Sequence, residues 1–213
     1  MIRALHFVFM IGFYVCFATS GIADVELAVG SNWQSVINSQ PAGTIYHIAS
    51  GVHRLQNVTP KAGDTFIGEV DSYMKGSKII TGAVQDGGSG RWYFPNQTQA
   101  LLWSSWTADP LTRQMACGNE LFINDVRQQH AESISQVNQA GEYYFDESAN
   151  RIYVYGNPAG KTVEAVVTEF AFNLPNGIDN VTFENFTIMH YGNPIRPVGV
   201  IRAENADNTT LRF

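Results

Sequence analysis

The chain has 213 residues, of which 45% are hydrophobic, 12% aromatic and only 15% charged. That apolar content and length suit a folded chain with one sizeable core rather than a solvated tail. Acids outnumber bases 19 to 13, for a formal net charge of −6, and no basic run occurs. Nucleic acid is therefore excluded as a partner class, because phosphate binding needs clustered cations.

The first residues read as an address. Arg3 supplies a positive start, Phe7–Ala18 is an unbroken apolar run, and Gly21-Ile22-Ala23 offers the small residues a signal peptidase reads. A signal peptide over 1–23, cut after Ala23, is predicted. The alternative, a membrane anchor, needs about 20 apolar residues, more than this run holds. The mature protein is expected to be secreted, extracellular or periplasmic, with no membrane association. Cys16 leaves with the leader, so Cys117 has no partner for an intrachain disulfide. It reads as a small packed residue rather than a nucleophile.

Ser31 is placed to cap a short helix that carries Trp33, Val36 and Ile37 on one face. Pro41-Ala42-Gly43 ends it, and such a helix suits the cap of a β-stack. Short strands follow at Thr44–Ile48, Gly51–Leu55, Thr65–Ile67 and Lys78–Thr81, separated by Gly, Pro and Asp turns. Ile45 to Phe66 is 21 residues, close to one coil of a β-solenoid by the usual range of roughly 20–30. Gln85–Gly90 is a loop, and Arg91–Asn119 reads as irregular and aromatic. Glu120–Asn124 with Val126–His130, and Glu142–Phe145 with Arg151–Tyr155, read as two hairpins. From Val163 the solenoid rhythm resumes with Val163–Val167, Val181–Ile188, Val200–Ala203 and Thr209–Phe213. Asn180-Val181-Thr182-Phe183 reappears as Asn208-Thr209-Thr210-Leu211, and no C-terminal cap is visible in the sequence. The expected organisation is a signal over 1–23, cap and first coils over 24–84, an inserted β-rich lobe over 85–162, and further coils, incomplete at the C-terminus, over 163–213.

Several stretches together resemble a known group. PAGT, GVHR and PKAGDTFIGE resemble the start of secreted right-handed parallel β-helix proteins of the pectate-lyase-like superfamily. ELFINDVRQQHAES and GEYYFDESANRIYVYGNPAGKTVE are similar to the inserted lobe of many of them, and NGIDNVTFENFTIMHYG to one of their ordinary coils. The resemblance covers most of 33–213 and implies an all-β fold: a right-handed parallel β-helix with a short N-terminal capping helix and an inserted β lobe. It also implies action on, or binding of, an extracellular polysaccharide, with lyase or glycoside hydrolase chemistry. Calcium enters by this analogy alone, since no Asp-rich loop argues for it. The WIDH motif of pectate lyases and the NTD, GHG and RIK motifs of polygalacturonases do not occur in this sequence. A non-catalytic glycan-binding or cell-surface module is the alternative.

Candidate residues follow from chemistry. A glycosidase needs two carboxylates roughly 5–10 Å apart, one of them raised in pKa. Glu184 alternates with inward Val181 and Phe183, and Glu169, Glu184 and Glu204 are candidates for a line on one groove face. The competing reading is a solvated face. His190, beside Tyr191 at a coil edge, is the most site-like histidine, although histidines often simply pack. Trp103 and Trp106 flank two serines in an irregular stretch and are candidates to stack on sugar rings, against a role in the lobe core. Arg127, past the Asn124-Asp125 turn, is the cation placed to meet an acidic sugar or a surface acid. Asn180, Asn185, Asn205 and Asn208 read as turn residues that tolerate the left-handed conformation and stack amide on amide. The other reading is glycan acceptors or sugar ligands, since Asn57, Asn96, Asn180, Asn185 and Asn208 all begin N-x-T. No metal-ligand spacing is present.

Overall fold

The structure is a computed structural model that describes residues 24–100, 102, 118–192 and 199–212. Strand β1 (Asp24–Leu27) precedes helix α1 (Trp33–Ser39), β2 (Ile45–Ile48), β3 (Gly51–Arg54), β4 (Thr65–Gly68), β5 (Ser72–Lys75) and β6 (Ser77–Ile79). Next come β7 (Val84–Gln85), β8 (Arg91–Phe94), β9 (Leu121–Ile123), β10 (Val126–Arg127), β11 (Gln129–His130), β12 (Glu142–Asp146) and β13 (Arg151–Tyr155). The chain continues through β14 (Val163–Val166), β15 (Phe172–Leu174), β16 (Thr182–Glu184), β17 (Thr187–Met189), β18 (Ile201–Ala203) and β19 (Thr210–Arg212). The fold is all-β in character, and none of the helices among the described residues is long and apolar enough to cross a membrane.

Two kinds of sheet coexist. Strands β1-β2-β4-β16-β19 form one parallel sheet, β3-β5-β17 a second, and β15-β18 a third. The other two sheets are β10-β9-β14-β6 and β11-β12-β13-β8-β7, and their pairings are antiparallel apart from β11 on β12. Parallel pairing needs long crossovers, and the short strands joined by turns at Gly43, Gly63 and Asn180 supply them.

The parallel register stacks like on like. Tyr46 pairs with Phe66, Phe66 with Phe183 and Phe183 with Leu211. The Tyr46–Phe66 and Phe66–Phe183 ring centroids lie 5.0 and 5.6 Å apart, with the ring planes nearly parallel. Phe172 closes on both Phe66 and Phe183, at 5.0 and 4.5 Å. Aromatic pairs at such separations add to area burial. With Trp33, Ile37, Ile48 and Val181 they form one core. A second core, in the antiparallel part, joins Phe94, Tyr143, Phe145, Ile152 and Val154, and shares no buried residue with the first.

Several expectations change. The helix is capped by Asn32, whose side chain accepts from the Ser35 N–H at 2.9 Å, while the Ser31 hydroxyl donates to Ala28 O instead. Ile45 pairs with Thr65 and Tyr46 with Phe66, so the coil counted as 21 residues from Ile45 to Phe66 repeats one residue sooner. The expected strand over Val181–Ile188 is two strands on different sheets, broken where Asn185 takes φ 59°. Arg91–Phe94, expected to be irregular, is a strand, and Ser72–Lys75 and Phe172–Leu174 are strands the pattern did not mark. Val163–Val166 does not rejoin the parallel stack. It pairs antiparallel with β6 and β9, so antiparallel pairing reaches beyond 85–162 on both sides.

Candidate functional site

Where the parallel and antiparallel parts meet, the sequence places a carboxylate inside a strand buried along its whole length. Glu164 lies in Val163–Val166, and all four residues are buried. A buried carboxylate persists only when paired and hydrogen-bonded. Its partners come from four other segments, and Asp125 joins the cluster from a fifth through Lys75. The register of β3 on β5 sets Arg54 beside Lys75, each one residue past a core-facing neighbour, His53 and Met74. Alternation therefore turns Arg54 and Lys75 outward, toward the antiparallel sheets. Ser77 opens β6, Asp125 sits in the turn between β9 and β10, and His190 follows β17.

The contacts are short. Arg54 Nη2 reaches Glu164 Oε1 at 2.6 Å, and Lys75 Nζ lies 3.4 Å from the same oxygen. The Ser77 hydroxyl donates to Oε2 at 2.9 Å, and His190 Nδ1 stands 2.8 Å from it. Lys75 also pairs with Asp125 at 2.5 Å, and His190 Nε2 is 3.7 Å from that carboxylate. Phe122, the register partner of Glu164, stacks on the His190 ring at 3.6 Å. Burial alone would push the Glu164 carboxyl up. The bonds from Arg54, His190 and Ser77 outweigh that and hold it down at about 2.

This chemistry limits what the cluster does. A carboxyl held ionised far below neutral cannot serve as the general acid of a glycosidase. Asp125, Glu164 and His190 bring possible ligand atoms within 4.8 Å of one another. However, the Lys75 ammonium and Arg54 guanidinium already occupy the cationic positions against both carboxylates. The trio does not fit a divalent ion. The cluster is a buried polar joint that fixes one part of the protein on the other.

The sequence-derived candidates scatter. His190 enters this joint, buried, and faces Glu164 rather than a solvent-filled groove. Glu184 is on β16 and pairs with Arg212 at 2.6 Å. Glu204 follows β18, on another sheet, and pairs with Arg202. Glu169 lies outside any strand, between β14 and β15. The expected line Glu169–Glu184–Glu204 is thus not a line on one sheet face, since β16 and β18 belong to different sheets. Arg127 is half-exposed and pairs with Glu120 at 2.7 Å. Trp103, Trp106 and Cys117 lie outside the described residues. The asparagines behave as turn residues: Asn180, Asn185, Asn205 and Asn208 all take φ between 49 and 59°, and the Asn208 amide donates to that of Asn180 at 3.1 Å. Sequence reasoning missed Glu164, Arg54, Lys75, Ser77 and Asp125. The available signal was a lone acid within the apolar run Val163–Val167.

Neither protein-family models nor curated proteins match the chain in sequence. Solved structures do match in shape. One is titled as the complex structure of XylC with xylose, at TM-score 0.64 and 15% identity over 84% of this chain and 38% of that one. Another is a glycoside hydrolase, at TM-score 0.51 and 12% identity over 80% of this chain and 51% of that one. The chain thus spans about two fifths to one half of these neighbours, and at such identities the likeness is one of fold.

Proposed function

We propose that this protein is a secreted right-handed parallel β-helix protein that acts on or binds an extracellular polysaccharide. Its parallel stack carries an inserted lobe, centred on 85–162, whose antiparallel pairing takes in β6 before it and β14 after it. The observation that carries this reading is the shared fold with a xylose complex and a glycoside hydrolase. The repeated register of the parallel sheet supports it, since stacked parallel strands offer a polymer long flat faces. Export is part of the proposal, and N-terminal sequencing of protein from the culture medium or periplasm should read from Asp24.

Between the two forms of the reading, one observation favours binding without catalysis. Glu164, Glu184 and Glu204 each have a cation on the carboxylate, so none of these three stands free to protonate a leaving group. Glu169 alone of the acidic candidates has no such ion pair among the described residues. The test incubates the purified protein with acidic and neutral polysaccharides and follows both binding and product release. Binding without reducing ends or unsaturated uronate supports the module. Product release restores lyase or hydrolase chemistry. No binding to any glycan removes both.

A further inference from the structure

Away from the joint, a second site stands out by its unspent polar groups. The turn Asn157–Gly160, which links β13 to β14, leaves a cavity of about 260 Å³ against β8 and the end of β6. Its floor is apolar, formed by Ile80, Phe94 and Val163, all at least nine-tenths buried. Trp92 forms one wall and is only partly buried. The volume equals that of about nine waters at ~30 Å³ each, which suits one pyranose ring and little more.

The rim carries Thr81, Asn157 and Lys161. Asn157 Oδ1 accepts from the Ala159 N–H at 2.9 Å, which shapes the turn, and its amide NH2 has no hydrogen-bond partner among the described residues. Most other cations of the antiparallel part are engaged: Arg91 by Asp86, Arg127 by Glu120, and Arg151 over the Tyr93 ring. Lys161, by contrast, is exposed, and its ammonium has no ion pair among the described residues. An aromatic wall and apolar floor suit the C–H face of a sugar ring, and free donors at the rim suit its hydroxyls. A single unpaired ammonium adds preference for a carboxylate.

We propose that this lobe cavity binds one uronate residue of an acidic polysaccharide, with Trp92 against the ring, Asn157 and Thr81 on hydroxyls, and Lys161 on the carboxylate. The inference rests on the carbohydrate reading above and names the sugar class and place of contact. It sets the lobe as a holding site distinct from the joint at Glu164.

The test uses the mature protein and two probes, an α-1,4-linked galacturonate tetramer and neutral xylotetraose. The galacturonate tetramer is expected to bind at least tenfold tighter. Lys161→Glu should lower its affinity at least tenfold, and Lys161→Gln about threefold, while xylotetraose changes less than twofold. Lys161 is exposed, so thermal melting should be unchanged in both variants. Hydroxyl-radical footprinting should show Trp92 protected by the acidic tetramer. Glycan binding that is indifferent to Lys161→Glu, with Trp92 unprotected, overturns this site and leaves the carbohydrate reading intact. Absence of binding to either tetramer and to the polysaccharide panel overturns both.

Discussion

The parallel stack and the antiparallel lobe hold themselves together in different ways. In the stack, each layer repeats its neighbour, and Tyr46, Phe66 and Phe183 occupy equivalent places in successive strands. Such a core has no inside of its own. Each ring is buried only because the next layer lies on it. The same ladder shows this at Leu211, which pairs with Phe183 and yet is 51% exposed. The lobe closes on itself instead, with Tyr143, Phe94, Ile152 and Val154 gathered between two mainly antiparallel sheets. The two apolar cores share no buried residue, and the join between them carries a polar cluster of Glu164 with Arg54, Lys75, Ser77, His190 and Asp125, beside the Phe122 ring stacked on His190. Apolar packing gives each part its stability, while the polar joint fixes how the two sit together.

The largest expected effect tests the stack. Phe66→Ala removes the central ring of the ladder and should cost about 3–5 kcal/mol in denaturant unfolding. Leu211→Ala, at the same ladder position but exposed, should cost under about 1 kcal/mol. Equal costs would break the account of layer-on-layer burial. Next, Glu164→Gln strands Arg54 and Lys75 beside a neutral amide and should cost about 3 kcal/mol. Hydrogen exchange should then rise most at the joint and in the lobe, in β9, β14 and β6. A uniform rise through the stack would show that the two parts are one cooperative unit.

Acid should separate the two parts further. Burial pushes the His130 imidazole, in the lobe, down to about 4 from 6.5, and Glu164 is held at about 2 against 4.5. Both folded values are depressed, so the unfolded chain takes up each proton first, and stability falls as pH falls. The loss should begin between about 6.5 and 4 through His130 and continue between about 4.5 and 2 through Glu164. In the stack, Asp64 runs the opposite way. Burial raises its carboxyl, against backbone bonds from Lys61, Thr44 and Gly43. An unfolded Asp64 ionises more readily, so acidification relieves a cost there. Exchange measured at pH 4 should show the lobe opening before the stack, and His130→Phe should delay that opening. Opening of the stack first would contradict the assignment.

Much of the stack is visible in the sequence, because its turns demand unusual backbone. The Asn and Gly positions with positive φ fall at the turns their residue types mark, such as Gly43, Gly63, Asn180 and Asn208. The hairpin of β12 and β13 is equally plain, since its alternation is local. What the sequence hides is direction and partnership. Val163–Val166 is a strand by composition, but nothing in four residues states whether its neighbours run parallel or antiparallel. Ser72–Lys75 lacks β-branched residues and is a strand only because β3 and β17 flank it. The Glu164 joint draws on positions 54, 75, 77, 125 and 190, and no spacing rule links them. Alternation found Glu184, an acid on the outer side of its strand, whereas the buried acid lay in a strand with no outer side.

The smallest expected effects lie at the outer edge of the stack. Asn208→Ala loses the amide bond to Asn180 and forces alanine into φ 56°, which should cost about 1–2 kcal/mol. Asn208→Gly keeps the backbone free and should recover most of that loss. Arg212 pairs with Glu184 across the β16–β19 register, but its side chain is 67% exposed. An ion pair so hydrated contributes less than about 1 kcal/mol and is screened by salt. Arg212→Ala should therefore move the urea midpoint slightly at low salt and not at all in 1 M NaCl. A shift above about 2 kcal/mol that survives salt would mean that β19 is held by this charge rather than by its backbone ladder. The outer layer would then be held by charge, as the joint at Glu164 is, and the contrast between apolar layering and polar joining would fall.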